Sequence, residues 1–179
     1  MKNPFNNKDF NSGDGMLTSV WGPSMWHSLH TISFNYPVKP TSDDKKNYFQ
    51  FFLSLKNILP CKYCRLNYVK NLKAVPLTMK TMKNRNTLSK WLYELHEEIN
   101  KMLGKKSNLT YEDVKLRYEM FRSRCLAKQK KKKKTRKKKI ESGCVQPLYG
   151  KKSKCVINIV PNDTKCKTFN IHKQCILKR

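Results

Sequence analysis

From Asp43 to Leu59 apolar side chains return every three or four residues, at Tyr48, Phe51, Phe52, Leu55 and Leu59, behind Thr41, Ser42 and Asp43 as candidate caps. Only a helix gathers that stripe on one face, and Pro60 ends it. The same period flanks it on both sides. It predicts a helix from Ser24 through Trp26, Leu29, His30 and Phe34, stopped by Pro37 and Pro40. Another should start near Cys61 and run past Leu66 and Val69 to about Leu72, ahead of Pro76. A fourth carries Leu88, Trp91, Leu92, Leu95, Ile99, Met102 and Leu103, with Gly104 as its stop. A fifth runs from Thr110 to roughly Cys125 through Tyr111, Val114, Tyr118 and Phe121, where Thr110 and Asp113 resemble a capping box. The expected fold is all-α, a four-helix bundle plus a short fifth helix, with no clear strand and no internal repeat.

A chain of 179 residues can bury one proper core and a smaller appendage. Charge marks where the appendage begins: residues 1–125 hold 21 Lys+Arg against 10 Asp+Glu, and residues 126–179 hold 18 against 2. Ten cations fall between Lys128 and Lys139, too dense to pack. The reading is a flexible leader over 1–18, a helical domain over 19–127, a Lys-rich linker over 128–142 and a Cys-containing tail or mini-domain with little regular structure over 143–179. Within the tail, Cys155 to Pro161 reads as strand-like, but so few apolar residues need cross-links or a metal to fold. The lysine run suits counterion-release binding to nucleic acid or an anionic membrane, without the interleaved aromatics that would read sequence. No signal-peptide pattern and no stretch of about 20 apolar residues is present, so the expectation is a soluble, unprocessed chain with no transmembrane segment.

Pro60-Cys61-Lys62-Tyr63-Cys64 sets two thiols at i and i+3 on the first turn of a predicted helix. There the macrodipole, with Lys62 and Arg65 nearby, favours thiolate, the species that exchanges with disulfides. A lone Cys-x-x-Cys serves redox chemistry or metal binding equally well. Zinc would need a second ligand pair at ribbon spacing, which is lacking, and a thioredoxin-like site would need βαβ context rather than helices on both sides. On the apolar faces stand Trp21, Trp26, His30, Trp91, His96, Asn100 and Tyr118, each ordinary core filling alone but together able to line a flat aromatic cofactor.

Three motifs in order carry a resemblance: Trp21-Gly22-Pro23-Ser24-Met25-Trp26-His27-Ser28-Leu29-His30, then Pro60 to Cys64, then Trp91-Leu92 leading to His96-Glu97-Glu98-Ile99-Asn100-Lys101-Met102-Leu103-Gly104-Lys105. Over roughly Trp21 to Cys125 the chain resembles the ERV/ALR family of FAD-linked sulfhydryl oxidases, especially members from large DNA viruses. The resemblance implies that Trp26, His30, His96 and Asn100 surround FAD, that Lys105 lies near its phosphates and that Tyr118 packs on the adenine side, with Gly22 and Tyr36 as further candidates. Two departures stand out. Glu97 replaces an Asn, and Tyr93 and Thr110 occupy the positions of a structural disulfide found in cellular members.

By resemblance, Cys61 is the outer sulfur attacked by a reduced partner and Cys64 the inner one facing the flavin. Electrons would pass from Cys61 and Cys64 through FAD to O₂, releasing hydrogen peroxide and leaving one disulfide in the substrate protein. The implied partners are reduced protein thiols, thioredoxin-like or virion proteins among them, and a second copy in a homodimer. The implied setting is a cytoplasmic viral assembly site and the virion, with mitochondrial and secretory placement left open. Cys125, Cys144, Cys155, Cys166 and Cys175 are candidates for a shuttle pair or for structural cross-links, and Cys155, Cys166, His172 and Cys175 for zinc. The rival reading is a basic nucleic-acid-binding or adaptor protein with metal-bound cysteines.

Overall fold

Side-chain caps and prolines set the helix limits. In the computed structural model, which describes residues 6–126, 143–161, 163–164 and 172–175, the chain forms two compact units, residues 1–111 and 112–179. The first opens with a single turn, α1 (Asn7–Phe10), capped by Asn6. Next comes α2 (Thr18–Phe34), which starts six residues before the expected Ser24 and holds Pro23 inside it. Proline supplies no N–H, but Pro23 is exposed and near the helix start, where water can take up the carbonyl it leaves unbonded. In α3 (Ser42–Ile58) Thr41 and Asp44 form a reciprocal capping box, and the helix ends ahead of Pro60 as expected. Helix α4 (Lys62–Ala74) has Cys61 as its cap residue. A 3₁₀ turn (Thr81–Lys83) leads into α5 (Arg85–Met102), capped by Asn84 through Thr87. Gly104 leaves α5 at φ +66°, the left-handed conformation that glycine adopts without cost.

Helix α2 packs on α5, α3 on α4, and α4 on α5. Between them Leu29, Phe52, Leu55, Leu59, Tyr68, Leu88, Trp91, Leu92 and Leu95 form the core. Each such side chain contributes about 1.5–3 kcal/mol on burial. Their polar atoms are matched: the Tyr68 hydroxyl donates to the Phe52 carbonyl at 2.8 Å, and the Trp91 indole to the Val75 carbonyl at 3.2 Å. The expected loose leader is in part a strap. Met16 N–H donates to the Pro60 carbonyl at 2.6 Å and Lys62 N–H to the Asp14 carbonyl at 2.9 Å, an antiparallel bridge centred on Gly15 and Cys61.

The second unit departs further from expectation. The fifth long helix, α6 (Tyr111–Glu119), stops at Glu119, well short of Cys125. A strand, β1 (Ser123–Leu126), follows and pairs antiparallel with β2 (Gly143–Pro147), although no clear strand was expected. Strand pairing across some twenty residues of chain leaves no mark in local periodicity. Cys125 and Cys144 are disulfide-bonded, so the tail's first cysteine is tied to one that precedes the lysine run. The strand-like stretch from Cys155 to Pro161 is not a strand, and Val156, Ile157 and Ile159 are exposed. Cys166 and the Lys-rich run lie outside the described residues. Among those described, no group of three His, Cys, Asp or Glu side chains is gathered for a metal, and no helix is long and apolar enough to cross a membrane.

Candidate active site

Cys61 and Cys64 are free thiols on the first turn of α4. The Cys61 sulfur accepts the Cys64 backbone N–H at 3.2 Å, the bond an Asp or Ser would take at a helix start. The cap therefore fixes one sulfur over the backbone of the other. Burial pushes the Cys61 thiol up, but hydrogen bonds from the Cys64 thiol and backbone, from the Thr18 hydroxyl and from the Tyr63 backbone outweigh it, so its pKa falls below the ordinary value. The Cys64 thiol moves the other way, raised first by its deeper burial and then by the Cys61 sulfur. Sequence reasoning predicted a thiolate bias for both, and the structure confines it to Cys61. Arg65 also differs from expectation: its guanidinium donates to the Leu59 carbonyl at 2.7 Å and the Gly13 carbonyl at 3.4 Å, bracing the loop rather than facing the sulfurs.

The histidines predicted on α2 and α5 do meet. His30 Nε2 and His96 Nδ1 are 3.1 Å apart, and the Trp26 ring stacks on His96 at 3.8 Å between centroids, 5° from parallel. Burial, then the neighbouring His96 and His27, lowers the His30 pKa to about 3. Burial lowers His96 to about 4; Glu97 opposes this and Lys105 adds to it. Both rings are neutral at ordinary pH and offer flat faces and hydrogen-bonding nitrogens in place of charge. Glu97, where the resemblance led to an Asn, accepts the Asn100 side-chain N–H at 2.9 Å and so holds that amide in place.

Lys105 belongs to a cleft of about 1280 Å³ with Lys101, Lys106, Glu97 and Thr110 on its walls. Cys61, Cys64, Trp26 and His96 are not among its lining residues, so this cleft is not the place of the sulfur chemistry. Gly22 is buried in α2, yet a Cβ there would meet only the Thr18 methyl at 3.7 Å, an ordinary contact. Tyr36 is 0% exposed, its hydroxyl donates to the Met82 carbonyl at 2.9 Å and its carbonyl accepts Arg85 Nε at 2.6 Å, which makes it a core strut. Trp91 is core as well, and the Trp21 indole donates to the Met16 carbonyl at 3.0 Å. Tyr118 lies in the second unit against the edge of Phe121, with burial raising its hydroxyl pKa.

Where cellular relatives were expected to carry a disulfide, the Tyr93 hydroxyl donates to the Leu109 carbonyl at 2.7 Å and Ser89 and Tyr111 share a hydrogen bond of 2.8 Å. These bonds tie the segment after α5 back onto the helix without sulfur. Thr18 and Gly15 were missed at the sequence level. Both precede the first recognisable apolar period, and a glycine or threonine in a polar leader carries no local sign of what it meets.

The donor set fits a large planar anionic cofactor. A stacked Trp–His layer and neutral imidazoles suit a ring system, and Lys101, Lys105 and Lys106 suit phosphates. Residues 23–119 match the model of the Erv1 / Alr family. The chain is 40% identical over 99 residues to a protein of Acanthamoeba polyphaga mimivirus named "Probable FAD-linked sulfhydryl oxidase", covering 55% of this chain and 68% of that one. It is 30% identical over 99 residues to the FAD-linked sulfhydryl oxidase of African swine fever virus, covering 55% and 80%. Among solved structures, the FAD binding domain of Erv1 from Saccharomyces cerevisiae superposes with a TM-score of 0.52 at 27% identity, over 57% of this chain and 94% of that one.

Proposed function

From its membership of the Erv1 / Alr family, to which this chain belongs, we infer that the protein is a FAD-linked thiol oxidase that forms disulfide bonds in substrate proteins. The observation that carries the catalytic assignment is the Cys61–Cys64 pair on the first turn of α4, one sulfur capping the backbone of the other. When bound, FAD supplies the two-electron step between the dithiol and O₂, with hydrogen peroxide as product.

The division of labour follows from the two environments. In the oxidised pair, a substrate thiolate attacks the Cys61 sulfur, forms a mixed disulfide and expels Cys64 as thiolate. A second substrate thiolate attacks the substrate sulfur of that mixed disulfide, forms the product disulfide and expels Cys61. The depressed Cys61 pKa makes it a good leaving group for this release. Cys64, set deeper and with a raised pKa, is the stronger nucleophile once deprotonated and the sulfur that delivers electrons inward. Trp26, His30 and His96 provide flat, uncharged surface for the cofactor, Asn100 is fixed by Glu97 for hydrogen bonding, and Lys105 offers charge to the phosphates.

The substrates are reduced protein thiols. The kinship with proteins of large DNA viruses supports a cytoplasmic assembly site and the virion as the setting. A homodimer is supported by exposed Phe51 and Ile58 on α3 and Leu66 and Val69 on α4, apolar groups on two helices that pack together. The Cys125–Cys144 disulfide is read as a staple, because it joins the two strands that carry it.

The purified protein is expected to be yellow and to consume O₂ with a small dithiol. A colourless, zinc-containing protein without turnover would sink the assignment.

A further inference from the structure

The redox pair is held from two sides, and one side belongs to the segment that precedes α2. Gly15 sits at φ +114°, and a Cβ there would fall 2.5 Å from the Pro60 carbonyl oxygen and 2.7 Å from Cys61 Cα. Only glycine permits an approach this close. The bridge hydrogen bonds from Met16 to Pro60 and from Lys62 to Asp14 then fix the segment, and Trp21 and Arg65 hold it at the Met16 and Gly13 carbonyls. Two residues beyond this bracket Thr18 opens α2, and its hydroxyl oxygen lies 3.8 Å from the Cys64 sulfur.

That hydroxyl is not engaged in capping its own helix. The cap residue of α2 is Leu17, which has no side-chain bond to give, so the first turn of α2 spends its one threonine on the sulfur. The starts of two helices, 17 and 13 residues long, thereby converge on one thiol pair, and both present the positive end of their dipoles. The titratable group that acts on Cys64 is Cys61, at the start of the same helix, while the Arg65 guanidinium is turned to the Leu59 and Gly13 carbonyls.

We propose that Thr18 is a positioning residue of the oxidase, its hydroxyl donating to the Cys64 thiolate while the Gly15 bracket holds it there. The assignment rests on the Cys61–Cys64 pair being the redox pair. Its chemical consequence is a larger thiolate fraction at Cys64 at a given pH and a reduced form of the pair that is easier to reach. The direction agrees with the hydroxyl's lowering influence on both thiols.

The test is the pH dependence of iodoacetamide modification at Cys61 and Cys64 in the reduced full-length protein, read by peptide mass mapping for the unchanged chain, Thr18→Val and Thr18→Ser. Valine keeps the shape and removes the donor, and serine keeps the donor. A lost hydrogen bond to a thiolate at this long distance should raise the Cys64 midpoint in Thr18→Val by about half to one pH unit, roughly a three- to tenfold loss of thiolate below the midpoint. Thr18→Ser should titrate with the unchanged chain. Coincident midpoints for Thr18→Val and the unchanged chain, or equal shifts in both variants, would overturn the proposal. The titration reads the thiols without turnover, so dithiol-driven O₂ consumption by the unchanged chain separately shows whether the oxidase assignment itself has failed.

Discussion

The two cysteine pairs among the described residues stand in opposite surroundings, one free and one bonded. Cys61 and Cys64 are free, three residues apart on one helical turn, with a backbone N–H on one sulfur and a hydroxyl near the other. Cys125 and Cys144 are bonded across a two-stranded ribbon, 19 residues apart and both exposed. The first pair is poised by hydrogen bonds that distinguish its two sulfurs. The second closes a loop and removes conformational freedom from the unfolded chain. A disulfide exchanges readily where one of its thiolates is stabilised by its surroundings.

The largest effect that would sharpen this contrast is on turnover. Cys64→Ser or Cys61→Ser should cut dithiol-driven O₂ consumption about a thousandfold or more, since the two sulfurs act as a unit. Cys125→Ser should leave that rate within about twofold while lowering resistance to proteolysis in the second unit, as loss of a cross-link does. If Cys125→Ser instead slowed oxidation of a protein substrate while sparing a small dithiol, the second pair would be a relay and the contrast would fail.

Cofactor retention comes next. Trp26→Ala removes the ring stacked on His96, and FAD affinity measured by equilibrium dialysis should fall about tenfold or more. Unchanged affinity would move the cofactor away from the α2–α5 layer.

Acid should act on the first unit through its buried imidazoles. In the folded chain His30 and His96 titrate at about 3 and about 4, against 6.5 when exposed. As pH falls below 6.5 the unfolded chain takes up protons there that the folded chain refuses. Stability from this source is complete above 6.5 and declines on acidification toward 4. Urea midpoints measured at a series of pH values should fall across that window, and less steeply in His96→Asn.

The smallest effect concerns the sulfur-free tie after α5. Tyr93→Phe removes the bond to the Leu109 carbonyl and should cost about 1 kcal/mol, seen as a modest drop in melting temperature.

Much of the first unit was legible because its information is local. The stripe of α3, the cap ahead of it and the proline after it all lie within about twenty residues, and the structure puts Phe52, Leu55 and Leu59 in the core. The His30–His96 meeting was legible through the resemblance and through helical spacing on two separate stripes. What escaped was contact at a distance. Gly15 is required only because Cys61 lies against it, and Thr18 matters only because Cys64 does. The hydroxyl partner of Tyr36, Met82, likewise lies 46 residues away. The ribbon of β1 and β2 was hidden because its pairing, unlike a helix, is not written in the period of either strand.

The central claim is that electrons enter through Cys61 and leave through Cys64. Dithiothreitol added without oxygen to the yellow full-length protein tests it most directly, with flavin absorbance followed over time. The unchanged chain should bleach, Cys125→Ser should bleach at nearly the same rate, and Cys64→Ser should stay yellow. Rapid bleaching of Cys64→Ser would contradict the account, since electrons would then be reaching the cofactor by another route.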